Sequence, residues 1–324
     1  MDWPITLTQI QQSRSRMASH IPTTPFRRYP LLESAIGHEI QLFVKHENHC
    51  PTNSFKARNG LSFMTALPEA DRPRGVVAAT RGNHGQGLAW AGGICDVPVT
   101  VFVPHGNNPE KNAAMVAFGA RLIEAGHDYD ESLVAAKDWV RQEGAVLAHS
   151  TNDPEIIAGA GTLSLEMYEQ QPELDAVVVT VGGGSQAVGA MTVFRALRPS
   201  VAVYAAQARQ AAAIHDSWHA GEKRETARAD TFADGLATRS PYSLTFPALL
   251  AGLTDFVTVT EAQAAGGVRL YLSAAHQLAE GAAGVGLAAV RQLTERLAGQ
   301  RVGLVLSGGN IDRETLKRVL NNDL

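Results

Sequence analysis

The sequence predicts an α/β fold of open, twisted, mostly parallel sheets flanked by helices, and three observations predict it. Short β-branched apolar runs alternate with longer amphipathic segments along the whole chain. Runs such as VVVTV (177–181) and VGLVL (302–306) are almost continuously apolar, as strands covered by helices on both faces are. Three glycine-rich turns each follow such a run and lead into a helical pattern.

In chain order, strands are expected at 39–45, 75–79, 99–103, 145–149, 176–181, 201–206, 255–259 and 302–306, where apolar and β-branched residues concentrate. Helices are expected between them at 83–93, 109–118, 129–144, 153–169 and 261–279, where the apolar spacing is helical. Residues 221–228 read as an exposed loop. No internal repeat or low-complexity linker interrupts the alternation.

The composition narrows the function. A chain of 324 residues, 45% hydrophobic and 19% charged, has material for about two ordinary domains and is neither disordered nor fibrous. With 28 Lys+Arg against 32 Asp+Glu the net charge is -4, so nucleic acid is not an expected partner. Two cysteines, Cys50 and Cys95, offer no disulfide framework and suggest a reducing compartment. The N-terminus lacks a signal-peptide pattern and no apolar run is long enough for a membrane span. A soluble, cytoplasmic protein with no membrane partner is the expectation.

The three turns are Thr80-Arg-Gly-Asn-His-Gly-Gln-Gly87, Gly182-Gly-Gly-Ser-Gln-Ala-Val-Gly189 and Ser307-Gly-Gly-Asn310. Glycine lets the backbone approach a ligand closely, and a following helix N-terminus offers unpaired N–H groups to an anion. One glycine turn merely punctuates a βα unit; three imply a composite site for a phosphorylated ligand. No G-x-x-x-x-G-K-[ST] run exists, so a P-loop is excluded. Gly182-x-Gly184-x-x-Ala187 fits a relaxed dinucleotide fingerprint, but the next strand ends at Gln207 where an acid should hold the ribose. Lys56, in Asn53-Ser-Phe-Lys56, should lie in the first turn of a helix capped by Asn53 or Ser54. There its ammonium opposes the helix dipole, which favours the neutral amine that Schiff-base chemistry requires.

Asn53-Ser-Phe-Lys56, Arg81-Gly-Asn-His-Gly85, Gly182-Gly-Gly-Ser185 and Ser307-Gly-Gly-Asn-Ile-Asp312 together resemble the pyridoxal-phosphate enzymes of fold type II, the tryptophan synthase β-like fold. The nearest branch by these motifs is the serine/threonine dehydratase and serine racemase family. The resemblance covers nearly the whole chain. It implies pyridoxal 5'-phosphate as cofactor, with Lys56 as its Schiff-base residue and the base at the substrate Cα. It also implies that Phe55 packs beside the ring, Asn83 bonds the ring hydroxyl and Ser307 bonds the pyridine nitrogen. Gly182, Gly183, Gly184, Ser185 and Gln186 would hold the phosphate. Thr80, Gly82, Asn83 and His84 would meet the substrate carboxylate, with Gly235 near the substrate amine, and Arg81 beside them is expected to contact the substrate or the phosphate. The family further implies a homodimer, with a large cofactor-binding domain of residues 1–68 plus 152–324 and a small mobile domain of residues 69–151.

Three departures refine that reading. Arg81 stands where racemases of the family carry the serine that exchanges a proton; an arginine cannot be that base. Gln207 and Ala213 replace the carboxylates with which relatives hold Mg²⁺ or Ca²⁺, so no metal site is expected there. The His46-Glu-Asn-His49-Cys50 cluster has no second ligand pair at a zinc spacing and reads as packing. The chain ends soon after the Ser307 motif, leaving no expectation of an isoleucine-sensing domain. The resemblance thus implies an ammonia-lyase that takes water from a β-hydroxy α-amino acid of the threonine or serine type. The wording of the motifs keeps a larger substrate, of phenylserine or hydroxyectoine-derived type, as an alternative. An amino-acid racemase is the weaker one.

Overall fold

The computed structural model describes residues 3–324. Ten strands form in chain order: β1 (Phe26–Arg28), β2 (Gln41–His46), β3 (Val76–Ala79), β4 (Val99–Val103), β5 (Arg121–Glu124), β6 (Val146–Leu147), β7 (Ala176–Thr180), β8 (Ala202–Ala208), β9 (Asp255–Val259) and β10 (Arg301–Leu306). Six make one sheet in the order β1-β2-β10-β7-β8-β9, and four make a second in the order β5-β4-β3-β6. Every pairing is parallel except β1 with β2. The expected α/β class with two mostly parallel sheets is what forms.

Burial explains the apolar runs. β7 is buried at every position and β10 at all but its first, because helices cover both faces. Val177 and Val179 of β7 join a core with Ile157, Val188 and Val193, while Val178 between them joins the opposite core with Leu42, Val285 and Leu304. The second sheet packs in the same way, with Val76 and Ala78 on one side and Val77 and Ala79 on the other.

The structure differs from expectation where strands are short or the chain doubles back. β1 and β5 carry charged residues and sit at sheet edges, so neither shows a strand signal in sequence. The expected strand 145–149 shrinks to the two residues of β6, also an edge. The expected helix 261–279 stops at Leu270 and passes through one wide π turn, Tyr271–Ala275, before His276 turns left-handed at φ 53°. The reason is tertiary. The helices Glu261–Leu270 and Gly281–Gln292 pack backbone to backbone, so that a Cβ on Gly267 would lie 2.3 Å from the Gly284 carbonyl oxygen. A straight helix to 279 could not bring the chain back for that contact. Residues 221–228 form the exposed loop that their composition suggests.

Candidate active site

Lys56 opens the helix Lys56–Ala66, but its turn differs from the expected cap. Asn53 sits in the left-handed region at φ 53°, and Phe55 immediately precedes the helix with no side-chain cap. The Ser54 hydroxyl accepts the Lys56 N–H at 3.3 Å. The segment is held from across the sheet instead: the Phe55 N–H donates to the Ser307 carbonyl, and the Gly309 N–H donates to the Asn53 carbonyl. The lysine loop and the Ser307 turn are thereby one unit.

All fourteen residues singled out in the sequence, from Phe55 to Ser307, line one cleft between the two sheets. Its volume is about 1120 Å³ with the open mouth included. Three faces meet there. The Lys56 amine donates to the Ser150 carbonyl at 3.0 Å, and burial lowers its pKa to about 8 although Glu280 pulls the other way. Burial, rather than the helix dipole alone, is thus what frees the amine.

The turn after β7 lines the same cleft as Lys56. Gly184 takes φ +99°, and a Cβ on Gly182 would lie 2.3 Å from the Gly235 carbonyl oxygen, so the turn tolerates no side chain at either point. Thr238 and Thr245 donate to the carbonyls of Gly182 and Gly183, turning those oxygens away. The backbone N–H groups of residues 182–186 find no acceptor among the described residues, and the buried Gln186 Nε2 is equally unpartnered. They sit at the start of the helix Ser185–Leu197, where the dipole adds positive potential. A nest of unpaired donors at a helix start suits an oxyanion such as a phosphate.

The third face is a hydrogen-bonded set that sequence reasoning only half found. Asn83 donates to Glu280 at 2.8 Å and accepts from Asn310 at 2.8 Å, while the Ser307 hydroxyl lies 3.5 Å from the other Glu280 oxygen. Burial raises the Glu280 carboxyl pKa, with the Asn83 contact opposing. His84 binds the Ala148 carbonyl at 3.1 Å through Nε2, and burial drops its pKa to about 3, so it is neutral. The Thr80 hydroxyl accepts the Gly82 N–H, shaping the loop between them. Arg81 reaches the cleft mouth, where its guanidinium meets no carboxylate within ion-pair distance among the described residues. Gln207 uses its carbonyl to accept the His215 N–H and its amide to reach Thr238.

Glu280, Ser150, Tyr129, Tyr242, Lys111 and Asp234 also line the cleft and carried no local signal in sequence. Lys111 pairs with Asp234 across the mouth. Glu280 is 197 residues from its Asn83 partner, a spacing that no motif encodes.

The family model described as "Pyridoxal-phosphate dependent enzyme" matches residues 17–308. The chain is 35% identical to an L-threonine ammonia-lyase of Thermotoga maritima, over 99% of this chain and 79% of that one. It is 30% identical to an L-threo-3-hydroxyaspartate ammonia-lyase of a Pseudomonas species, over 95% and 96% of the two chains. The crystal structure of a serine racemase from Dictyostelium discoideum superposes with a TM-score of 0.88 at 30% identity, covering 95% of this chain and 99% of that one.

Proposed function

The chain belongs to the pyridoxal-phosphate dependent enzymes, and on that premise we propose that it is an ammonia-lyase of β-hydroxy α-amino acids. It eliminates water from a substrate of the threonine or serine type and releases a 2-oxo acid and ammonia. The observation that carries the reading is the pair of Lys56, a buried amine near pKa 8, and the donor nest of residues 182–186 in one cleft.

When bound, pyridoxal 5'-phosphate supplies the electron sink that acidifies the substrate Cα–H. The nest at 182–186 would hold its phosphate, Lys56 would bind its carbonyl carbon, and Asn83 and Ser307 would bond the ring's polar groups. Ser307 offers a neutral hydroxyl to the pyridine nitrogen, which moderates the sink and favours loss of a β-substituent over transamination. The N–H groups of the Thr80–His84 turn would receive the substrate carboxylate, with Gly235 near its amine, while the neutral His84 ring, its one N–H on the Ala148 carbonyl, braces the turn. Lys56, as the neutral amine, takes the proton from Cα.

Residues 69–151 form the smaller unit that brings this carboxylate turn to the cleft. Three ion-paired contacts link it to the rest of the chain: Lys111 with Asp234, Glu110 with Arg313, and Asp128 and Asp130 with Arg239. Racemisation needs a second base facing Lys56. Arg81 is always protonated, and His84 has its Nε2 on a carbonyl, so elimination is the better-supported outcome. Phe232, Leu236, Ile311 and Tyr242 line the same cleft and favour a β-substituent larger than that of serine.

The test is ammonia and 2-oxo acid release from L-serine, L-threonine, threo-3-hydroxyaspartate and threo-phenylserine by the cofactor-loaded protein. Release from at least one is expected, and none from any of them defeats the assignment. Chiral analysis of unreacted L-serine should show negligible D-serine.

A further inference from the structure

We propose that Tyr129, acting through the Ser150 hydroxyl, is the acid that protonates the departing β-hydroxyl. The inference rests on the elimination chemistry proposed above and assigns its acid to the protein rather than to the cofactor's phosphate. One residue, Ser150, carries both ends of the device. Its carbonyl accepts the Lys56 ammonium at 3.0 Å, and its hydroxyl bonds the Tyr129 phenol at 2.9 Å. Both Ser150 and Tyr129 line the cleft. The base acts at Cα and the acid must act close by, at the oxygen on Cβ. Ser150 puts a hydroxyl on the same cleft-lining residue whose carbonyl holds the base.

The histidines, Lys111 and Glu280 around the cleft are committed elsewhere. His84 Nε2 is on the Ala148 carbonyl, and His149 Nδ1 accepts the N–H groups of Thr151 and Asn152. Burial keeps both imidazoles neutral, at about 3 and about 4. Lys111 is paired with Asp234, and Glu280 faces Asn83 and Ser307. Arg81 gives up no proton at neutral pH. Burial also raises the phenol of Tyr129, and that of its neighbour Tyr242 further, so both stay protonated until a strong base forms. A departing hydroxide is such a base, being far more basic than a phenolate.

The step balances without another reactant. Lys56 takes the Cα proton, and the Cβ–O bond breaks with its electron pair on oxygen. That oxygen takes the Ser150 hydroxyl proton, and Ser150 takes the proton of Tyr129. Solvent restores the Tyr129 proton past the half-buried Tyr242. Tyr129 is the first residue of the helix Tyr129–Glu143, and Arg239 from across the cleft binds the carboxylates on both sides of it, Asp130 at 2.6 Å and Asp128 at 3.3 Å. These ion pairs fix the start of that helix, and with it Tyr129, against the other side of the cleft.

Leaving-group replacement tests this. L-serine loses hydroxide, which needs a proton, whereas β-chloro-L-alanine loses chloride, which does not, and both give the same 2-oxo acid. Tyr129→Phe and Ser150→Ala should each cut turnover of L-serine by about 100-fold or more while leaving β-chloro-L-alanine within about twofold. The visible cofactor absorbance and the thermal midpoint should stay at the parent's values. Equal losses on both substrates, or no loss on L-serine, would overturn the role of Tyr129. A parent protein that releases no ammonia from any hydroxy amino acid while still eliminating chloride would instead defeat the proposed function, so the two failures are distinguishable.

Discussion

Lys56 and Arg58 stand two residues apart on one helix and occupy opposite electrostatic settings. Arg58 is about 1% exposed, and its guanidinium is saturated: Glu47 and Glu166 each take two of its hydrogen bonds, at 2.7–3.0 Å, with Thr24 and Thr162 filling the rest. Lys45 completes the cluster, 2.6 Å from Glu166 and bonded to Thr24 and Gln170. Two cations and two carboxylates sum to zero. Burial pushes Glu47 up, yet Arg58 and Lys45 more than offset it and hold the carboxylate below its usual range. Lys56 instead has one carbonyl partner and a single carboxylate, Glu280, in its surroundings. Complete pairing makes charges structural, whereas incomplete pairing leaves a group free to change protonation and react.

The cluster also serves the reactive lysine. Glu47 binds Arg58 just after Lys56 and accepts the Cys50 thiol at 3.3 Å just before it, so one carboxylate brackets the lysine loop. Through Glu47 and Cys50, the His46–Cys50 segment ties the lysine loop to the buried charge cluster.

The contrast is sharpest in paired substitutions. Lys56→Ala should abolish turnover and the visible cofactor band while the protein stays folded; turnover near the parent's rate would break the whole assignment. Arg58→Met should do the reverse. It strands two buried carboxylates and should cost about 3–5 kcal/mol of stability in urea unfolding, against little or no cost for Lys56→Met. Equal costs at the two positions would show that saturation does not separate them.

A third outcome concerns pH. The reactive form of Lys56 is the neutral amine, and burial brings its pKa down to about 8. Cofactor capture by the apoprotein should therefore speed up about tenfold per pH unit below 8 and level off above it. A rate still climbing towards pH 10 would mean an ordinary, solvated lysine. The smallest effect is expected at Arg81, which is unpaired like Lys56 but lies at the cleft mouth. Arg81→Ala should lower kcat/KM by about tenfold, mainly through KM, by removing a charge-assisted contact to an anionic substrate group. An unchanged kcat/KM would return the side chain to solvent.

What the sequence determined by itself was whatever short-range physics writes into neighbouring residues. Fully apolar runs marked β7 and β10, glycine turns marked the places where backbone meets ligand, and Asn53-Ser-Phe-Lys56 marked the helix start. These signals are local because a turn's φ angle and a helix's first N–H groups depend on residues within one turn. Tertiary structure alone decided what surrounds them. Ser150 reaches Lys56 across 94 positions, Asn83 meets Glu280 across 197, and Arg58 finds Glu166 across 108. It also ended the helix at Leu270, because only the packed glycine contact with Gly284 requires the chain to turn there. The amine of Lys56 is lowered chiefly by burial, and burial is a property of the assembled cleft that no stretch of neighbouring residues contains.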